Sequence, residues 1–446
     1  MKTKRVLVFA GKLGYQTRSF DAAARKLGVE LAFVTDRCHQ LDDPWGDRAI
    51  AVHFESPEVA AYTVLEEVRR NNQRLDGGRV DGILALGDRP AVAAAYVARG
   101  LGLTYNHPAA VEACRSKLRM REVFRDAGLR VPWFRTVAPQ PAPEPALLGI
   151  SYPCVLKPIS LSASTGVIRA NNREEFLAAA ARVRRVLESP EILASREANL
   201  DQMIVEGYIP GREVAVEGLL TDGELRPLAI FDKADPLEGP FFEETIYVTP
   251  SRLGEARVRE IERCAADAVR GLGLSYGPVH AEFRINEDGV WPLEVAPRPI
   301  GGLCAGALRF VRDESDEVIG LEELLLRHAA EMPVGEWTRE AAASGVMMIP
   351  VPASGVLESV DGEEEARATA HIVGLEITAR LHDYIAAWPE GSSYLGFLFA
   401  RAESANEVER ALRVAHGKLR FAIRERLAVE HPVTGRVVGS LASDQR

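Results

Sequence analysis

Two glutamates near residue 290 have the type and spacing for binding a divalent cation. Glu282 and Glu294 flank the turn-forming segment Asn286–Gly289, so the strands on either side are expected to pair as a hairpin. A three-residue loop, Glu287–Gly289, would place the two carboxylates opposite each other, whereas a two-residue loop, Asp288–Gly289, would break that pairing. Because adjacent carboxylates repel unless a cation lies between them, facing glutamates predict Mg²⁺ or Mn²⁺ held by oxygen ligands.

The first strand of this hairpin carries further charged residues at alternating positions. His280, Glu282 and Arg284 share one face by parity, and Ala281 and Phe283 are expected to face the core. The alternative is a pair of surface glutamates on a solvated ladder. The apolar residues interleaved with the charged ones favour the buried site.

An arginine and two glycines follow the second strand. Arg298 lies four residues after Glu294 between two prolines, and Gly301 and Gly302 come next. An arginine beside a metal pair, near the backbone N–H groups of a Gly-Gly turn, is suited to an oxyanion or a phosphoryl group. The structural alternative is a salt bridge from Arg298 to Glu294.

A lysine in an apolar strand precedes a loop of small polar residues. Burying the ammonium of Lys157 is costly unless it meets an anion. The loop ends in Ser164, Thr165 and Gly166, and small side chains let backbone N–H groups approach phosphate oxygens. The pattern predicts a triphosphate-binding element. The alternative is an edge-strand lysine that faces solvent before an ordinary loop.

Two more glutamates flank a Pro-Gly turn. Glu206 and Glu213 are seven residues apart and could flank a nucleoside, one near the base amine and the other on the ribose hydroxyls. Glutamates are common in loops, so this spacing carries little weight by itself.

The elements that must position these residues change in type along the chain. Val6–Phe9, Leu31–Val34 and Ile83–Leu86 are short apolar runs separated by helical segments, which predicts a parallel sheet in an α/β domain. From about residue 153 the strands alternate as in antiparallel sheets. The last hundred residues form another unit, which is expected to end in a helix from about Asn406 to Ile423.

Composition bounds the function classes. The chain has 446 residues, a formal net charge of −10 and 47% hydrophobic residues, typical of a multidomain globular protein. An acidic chain argues against an extended nucleic-acid interface. No apolar run is long enough for a membrane span, and the five cysteines are isolated, so we expect no membrane contact and a cytoplasmic location.

The order of these motifs resembles that of the ATP-grasp superfamily, from about residue 80 to 310 and more loosely beyond. The resemblance implies an α/β fold class, α+β in the clamp: an N-terminal parallel α/β domain, a two-part region that clamps ATP, and a small C-terminal α+β domain. The implied boundaries are 1–112 for the N-terminal domain, 113–335 for the ATP-grasp region and 336–446 for the closing domain. Within the ATP-grasp region, 113–150 is a linker and helical part, 151–215 the small clamp subdomain and 216–335 the large catalytic subdomain.

The resemblance also implies roles for individual residues on the nucleotide. Lys117 is similar to the family's first phosphate-contacting lysine, and Lys157 to the strand lysine on the α- and β-phosphates. The Ser160–Gly166 loop would cover the γ-phosphate. The adenine hinge would be formed by the segment that contains Glu206, Tyr208 and Ile209, and Glu213 would be the ribose carboxylate.

The same resemblance makes Glu282 and Glu294 the glutamates that bind ATP through Mg²⁺ or Mn²⁺, with two ions expected. Arg298, with the Gly301 and Gly302 amides, would stabilise an acyl phosphate and the oxyanion formed from it. Many members have an asparagine ligand two residues after the second glutamate, where this chain has Ala296, so the second ion loses one ligand. The Glu-x-small-Pro-Arg-Pro form resembles the formate-dependent glycinamide ribonucleotide transformylase branch.

Within the superfamily the chain most resembles carboxylate–amine ligases of the L-amino acid (dipeptide) ligase type. The segments Phe231–Asp235 and Phe241–Thr245 are similar to those that line their substrate entrance. The resemblance implies that a small-molecule carboxylate and an amine are joined through an acyl phosphate, with release of ADP and phosphate. Glu243 and His280 are candidates for the base that keeps the amine neutral.

Two other functions and the oligomeric state stay open. One is a purine-pathway or carboxylase-type ATP-grasp enzyme that acts on a phosphorylated or carbonate substrate. The other is a non-catalytic ATP-binding protein, which the alanine at position 296 keeps open. A homodimer is one candidate for the oligomeric state.

Overall fold

A computed structural model describes residues 3–11, 15–36, 49–70, 79–138, 149–312, 315–425, 429–430 and 437–438. Most of the linker predicted at 113–150 falls inside these ranges, but its residues 139–148 lie outside them. Among the helices in these ranges, none is both long enough and apolar enough to cross a membrane.

The N-terminal part is a four-stranded parallel sheet in the order β3-β2-β1-β4, covered by helices. Every residue of β1 is buried, as expected for a central strand with a continuous apolar run. The parallel pairing of the four strands confirms the predicted parallel sheet. The elements are β1 (Arg5–Phe9), α1 (Tyr15–Leu27), β2 (Glu30–Thr35), β3 (Ala49–Ala51), α2 (Pro57–Arg69), β4 (Gly82–Ala85), α3 (Asp88–Leu101), α4 (Pro108–Arg115) and α5 (Lys117–Asp126).

A second, antiparallel sheet follows in the order β5-β8-β6-β7, with two helices beside it. Helix α6 (Arg173–Leu187) packs the apolar face that includes Phe176 and Val183 onto this sheet. The elements are β5 (Phe134–Val137), β6 (Cys154–Pro158), β7 (Ile168–Ala170), α6 (Arg173–Leu187), α7 (Pro190–Ser195) and β8 (Met203–Gly207).

The candidate catalytic hairpin belongs to a third group of strands. Between β9 (Arg212–Thr221) and β10 (Glu224–Lys233) the two-residue turn Asp222-Gly223 has positive φ at both positions, as tight hairpins prefer. The elements are β9 (Arg212–Thr221), β10 (Glu224–Lys233), β11 (Ile246–Thr249), α8 (Glu255–Leu272), β12 (Gly277–Asn286), β13 (Gly289–Ala296), a 3₁₀ helix (Cys304–Ala307), β14 (Arg309–Arg312), β15 (Ser315–Gly320), α9 (Leu321–Ala329) and β16 (Thr338–Arg339).

The remaining elements extend this group. They are β17 (Ala343–Ile349), β18 (Gly355–Asp361), α10 (Glu363–Arg367), β19 (Ile372–Ile377), β20 (Tyr384–Ile385), β21 (Gly396–Ala402), α11 (Ala405–His416), β22 (Arg420–Arg424), β23 (Val429–Glu430) and β24 (Val437–Val438). The predicted helix to Ile423 is wrong in its second half. Helix α11 ends before Gly417, and Arg420–Arg424 pairs with β18 as a strand.

One eight-stranded sheet connects the catalytic hairpin to the C-terminal part. Its order is β13-β12-β9-β10-β11-β17-β21-β19, so it continues across residue 336. Helix α8 covers one face near the hairpin, where Ile261 and Val269 pack with Phe283 of β12. Ala281 and Phe283 are buried, which confirms their predicted core orientation. Residues of opposite parity on β12 are thereby directed to the other face.

Candidate functional site

Glu282 and Glu294 are paired residues in the β12–β13 ladder, which confirms their predicted position opposite each other. Neither of the two loops considered for this hairpin is the one that forms, however. Asn286 pairs with Gly289, so the turn contains only Glu287 and Asp288. A β-bulge between Pro292 and Glu294 inserts one unpaired residue and restores the alignment that the shorter turn would lose.

The first of two adjoining cavities lies between the four-stranded antiparallel sheet β5-β8-β6-β7 and the eight-stranded sheet. It is lined by nine of the residues that the sequence predicted for nucleotide and metal binding: Lys117, Lys157, Ser164, Glu206, Tyr208, Ile209, Glu213, Glu282 and Glu294. The apolar part of its wall includes Val155, Val167, Phe242 and Leu293. Apolar walls around a few charged groups are suited to a molecule with a flat base and an anionic chain.

Glu206 is buried, and its carboxylate forms ion pairs with two basic side chains of the protein. Arg121 binds it through Nε at 2.8 Å and Nη2 at 3.2 Å, and Lys157 Nζ lies 2.5 Å from Oε1. Burial raises the pKa of Glu206, but the charges of Arg121 and Lys157 outweigh burial and lower it to about 2. The Glu206 side chain therefore holds Lys157 at the cavity wall and is not free for a base amine.

The two lysines approach the cavity from different elements. Lys117 is the first residue of α5, after the N-cap Ser116, and its Nζ donates to the backbone oxygen of Leu161 and lies 3.7 Å from Glu294. Lys157 projects from β6, and burial lowers the pKa of its ammonium although Glu206 opposes this. Two cations thus face one side of the cavity, where an anionic chain would be stabilised.

The predicted hinge follows the end of β8. The backbone N–H of Tyr208 donates to Pro153 O at 3.1 Å, and Ile209 O accepts from Arg284 Nη1 at 2.7 Å. Glu213 binds Arg284 Nε at 2.9 Å and Lys233 Nζ at 2.6 Å. These contacts fix the hinge and the predicted ribose carboxylate on the same wall.

Lys233 is the centre of a cluster of carboxylates around Glu282. Its Nζ contacts Glu213 and Glu244 and lies 3.3 Å from Glu282. Ligand oxygens of these three glutamates lie within 4.8 Å of one another. Burial lowers the pKa of Lys233, but the glutamates outweigh it and raise the pKa well above its usual value. The ammonium is the internal counter-ion of this group.

His280 is enclosed by carboxylates. Its Nδ1 contacts Glu217 and its Nε2 lies 3.2 Å from Glu282. Burial lowers the pKa of His280, but Glu217 and Glu282 together raise it to about 9. A protonated imidazole cannot accept a proton, which argues against the base role considered for His280. The contact of its Nε2 with Glu282 is instead suited to orienting the Glu282 carboxylate. On β13 the residue opposite His280 is Ala296.

Arg298 binds an aspartate of the N-terminal sheet region and not Glu294. Its Nε donates to Asp88 Oδ1 at 2.8 Å and its Nη2 to Asp88 Oδ2 at 3.3 Å, where Asp88 is the first residue of α3. Burial raises the pKa of Asp88, but Arg298 outweighs burial and lowers it below its usual value. The alternative salt bridge to Glu294 is therefore wrong.

A second cavity of about 600 Å³ adjoins the first and reaches the C-terminal strands. Arg298, Gly301, Gly302 and His280, the four residues predicted for catalysis, all line it. Its other wall is formed by C-terminal residues such as Arg380, Asp383, Ser392, Ser393 and Tyr394. A volume of this size accommodates small organic molecules. Glu282, Glu294 and Ser164 line both cavities, so the two cavities meet at these side chains.

Of the three loop residues predicted to contact phosphate, only Ser164 lines a cavity. Thr165 is buried, and the N–H of Gly166 donates to Pro389 O at 3.0 Å. The chain turns here with positive φ at Ala163, Ser164 and Gly166, which directs consecutive residues away from each other. Glu243 lines neither cavity, whereas its neighbour Glu244 lines the second.

Sequence reasoning missed Asp88, Arg121, Lys233 and Glu244 as site residues. Asp88 is the first residue of α3, where an acidic side chain is common in any helix. Arg121 lies within α5, where a basic side chain is equally ordinary. Lys233 and Glu244 lie in the segments compared with a substrate entrance, but their mutual contact depends on the pairing of β10 with β11. The signal in the sequence that could have pointed to Lys233 is its position, with Asp232, at the end of the apolar strand β10.

Comparisons with known proteins agree with this arrangement. Residues 150–307 match the ATP-grasp domain family, and residues 347–424 match the L-amino acid ligase C-terminal domain 2 family. Residues 150–307 are therefore an ATP-grasp domain, and this ATP-grasp protein is a C–N ligase. ATP-grasp enzymes use ATP and divalent metal ions, and the facing carboxylates beside two lysines fit that use.

Three relatives of this ATP-grasp ligase are informative. It is 29% identical over 333 residues to the alanine–anticapsin ligase of Bacillus amyloliquefaciens, over 72% of this chain and 69% of that protein. It is 28% identical over 366 residues to the formate-dependent phosphoribosylglycinamide formyltransferase of Bordetella pertussis, over 79% and 81% of the two chains. The crystal structure of the L-amino acid ligase from Bacillus licheniformis superposes with a TM-score of 0.77 at 26% identity, over 95% of this chain and all of that one.

Proposed function

We propose that this ligase activates the carboxylate of an amino acid with ATP, as an acyl phosphate, and joins it to an amine, with release of ADP and phosphate. The observation that carries the proposal is the meeting of the two cavities at Glu282, Glu294 and Ser164. A phosphoryl group at that point is within reach of both a nucleotide in the first cavity and a carboxylate in the second.

The side chains at this junction supply what the transfer requires. Lys117 and Lys157 face the side where the phosphates would lie, and the Glu282 and Glu294 carboxylates are oxygen ligands of the kind that Mg²⁺ prefers. The Glu294 carboxylate is suited to bind such an ion because the ammonium of Lys117, its ion-pair partner, lies 3.7 Å away, beyond hydrogen-bond distance. Bound divalent ions would neutralise charge on the transferred phosphoryl group. Two ions remain our expectation, with Ala296 reducing the ligands of the second.

The second cavity supports the following step. Arg298 and the amides of Gly301 and Gly302 face it, and they would stabilise the oxyanion formed when the amine attacks the acyl phosphate. The amine attacks in its neutral form. As the C–N bond forms, the bond from the acyl carbon to the phosphate oxygen breaks, and the released phosphate takes up the proton that the nitrogen loses. Glu244, which lines the same cavity with a carboxylate whose pKa is raised by burial, can hold the amine there.

Amino acids are the proposed substrates because two relatives are named as ligases of alanine or of L-amino acids, and because the C-terminal residues 347–424 match a domain family of those ligases. The Bordetella relative supports a phosphorylated acceptor as the second candidate. The experiment is release of phosphate from ATP with Mg²⁺ and a panel of amino acids, alone and in pairs, alongside phosphoribosylglycinamide with formate.

Release that requires two amino acids together, with an equal amount of dipeptide, supports the proposal. Release with phosphoribosylglycinamide and formate only would favour the second candidate, and nucleotide binding without turnover on any substrate would favour a non-catalytic protein. Glu294→Gln should abolish release while preserving the folded state. Glu287→Gln, an exposed glutamate in the turn of the same hairpin, is the matched control and should keep wild-type activity.

A further inference from the structure

The Ser160–Gly166 loop is held in a conformation that its own sequence does not favour. Ala163 and Ser164 both have φ of 54°, in the left-handed region, and Gly166 has φ of 70°. Glycine adopts this region freely, but two consecutive residues with side chains do so only where their surroundings impose it. Something outside the loop must therefore supply the restraint.

That restraint comes from a turn in the C-terminal part, residues 387–391. The indole Nε1 of Trp388 donates to Ala163 O at 3.2 Å, and Pro389 O accepts from Gly166 N at 3.0 Å. The two bonds bracket Ser164, the loop residue that lines both cavities. The position of Ser164 at the junction thus depends on residues more than two hundred positions away in the sequence.

The 387–391 turn is itself firmly attached on both sides. The N–H of Ala387 donates to Ser354 Oγ at 2.9 Å, and Glu390 forms a bidentate pair with Arg182 of α6 at 2.5 and 2.9 Å. Trp388 is buried, and its ring lies against that of Tyr394 with centroids 4.9 Å apart. Tyr394 lines the second cavity, so Trp388 stands between the wall of that cavity and the loop.

We infer that Trp388 is a positioning residue for the Ser160–Gly166 loop, which it holds over the junction of the two cavities from the C-terminal part. The inference rests on the proposed function for its catalytic consequence. A loop held in this way keeps Ser164 at the junction and keeps water from an activated carboxylate. Loss of the restraint leaves the nucleotide-binding walls in place and affects the transfer itself.

The test is Trp388→Phe, which keeps an aromatic ring against Tyr394 and removes the indole N–H together with the five-membered ring that carries it. We expect kcat for phosphate release to fall about tenfold with the KM for ATP nearly unchanged, and the ratio of amide product to phosphate to fall below that of the wild type. Hydrogen–deuterium exchange of the full chain with a non-hydrolysable ATP analogue should accelerate in residues 160–166 and stay unchanged in β18. Trp291→Phe, which removes an indole hydrogen bond to Asn286 elsewhere, is the matched control and should leave exchange in the loop unaltered.

Unchanged exchange in residues 160–166 of Trp388→Phe would overturn the inference, whatever happens to the activity. Faster exchange throughout β18 and β22 would also overturn it, because Trp388 would then only stabilise the C-terminal part. If the wild type releases no phosphate with any substrate, the proposed function fails, and the exchange comparison still decides whether Trp388 holds the loop.

Discussion

Arg298 and Asp88 form a two-point ion pair between the end of the catalytic hairpin and the first residue of α3. The N-terminal sheet region thereby orients an arginine that lines the second cavity. Arg298 also donates to Pro299 O at 3.1 Å, so its guanidinium has partners that fix its plane.

Asp88→Asn should lower ligase activity because Arg298 loses its charged partner. A hydrogen bond to a charged group contributes about 1.5–3 kcal/mol, so kcat is expected to fall by roughly 10- to 100-fold. The KM for ATP should stay close to that of the wild type, since Asp88 does not line the first cavity. Steady-state kinetics measure both. Asp267→Asn, which alters a surface pair with Arg270, is the control, and equal kcat values for the two variants would contradict the prediction.

Glu206→Gln should destabilise the protein at neutral pH by about 3 kcal/mol, because Arg121 and Lys157 lose their buried counter-charge. The native pKa of Glu206, about 2, is below its ordinary value of 4.5. Its contribution is therefore complete above pH 4.5 and is lost as the pH falls toward 2.

Urea unfolding at a series of pH values checks this dependence. The difference between wild type and Glu206→Gln should be largest near pH 7 and should narrow below about pH 4.5. A difference that stays constant or widens on acidification would show that Glu206 is not the titrating group. Glu174→Gln, at an exposed glutamate on α6, serves as the control for a surface carboxylate.

Lys233→Met should convert the cluster of Glu213, Glu244 and Glu282 into a cation site. Without the ammonium the three carboxylates repel one another, and their oxygens are close enough to share one divalent ion. We expect a lower melting temperature without metal and a larger stabilisation by Mg²⁺ than in the wild type, measured by calorimetry without nucleotide.

Lys26→Met removes a lysine–glutamate pair with Glu323, remote from the cavities, and is the control for loss of an ion pair alone. Its response to Mg²⁺ should match that of the wild type. If Lys233→Met gains no more stability from Mg²⁺ than Lys26→Met does, the carboxylates do not form the expected site.

Gly302→Ala and Gly301→Ala should differ although the residues are adjacent. Gly302 has φ of 61°, and a Cβ there would lie 2.9 Å from the ring of Phe397, a residue of the second cavity. A left-handed alanine costs roughly 1–2 kcal/mol, so kcat/KM for the carboxylate substrate should fall about tenfold. A Cβ at Gly301 meets nothing within 4 Å, so Gly301→Ala should stay within about twofold of the wild type. Equal kinetics for both variants would contradict the prediction.

The local features of this ligase follow from short-range patterns in its amino-acid sequence. Continuous apolar runs predicted the parallel N-terminal strands, and alternation along β12 separated His280 and Glu282 from the core residue Phe283. Both predictions depend on short-range periodicity, which a residue's immediate neighbours decide. Family resemblance added the order of the ATP-binding motifs, because such motifs lie within single strands and loops.

The tertiary structure alone decided which distant groups meet. Glu282 and Glu294 face each other although neither considered loop forms, because a bulge compensates for the two-residue turn. Register of this kind depends on packing along the whole strand, which no local pattern encodes. The contacts of Arg298 with Asp88 and of Trp388 with Ala163 join residues more than two hundred positions apart. Such contacts follow from how sheets and helices pack in three dimensions, and spacing along the chain carries no information about them.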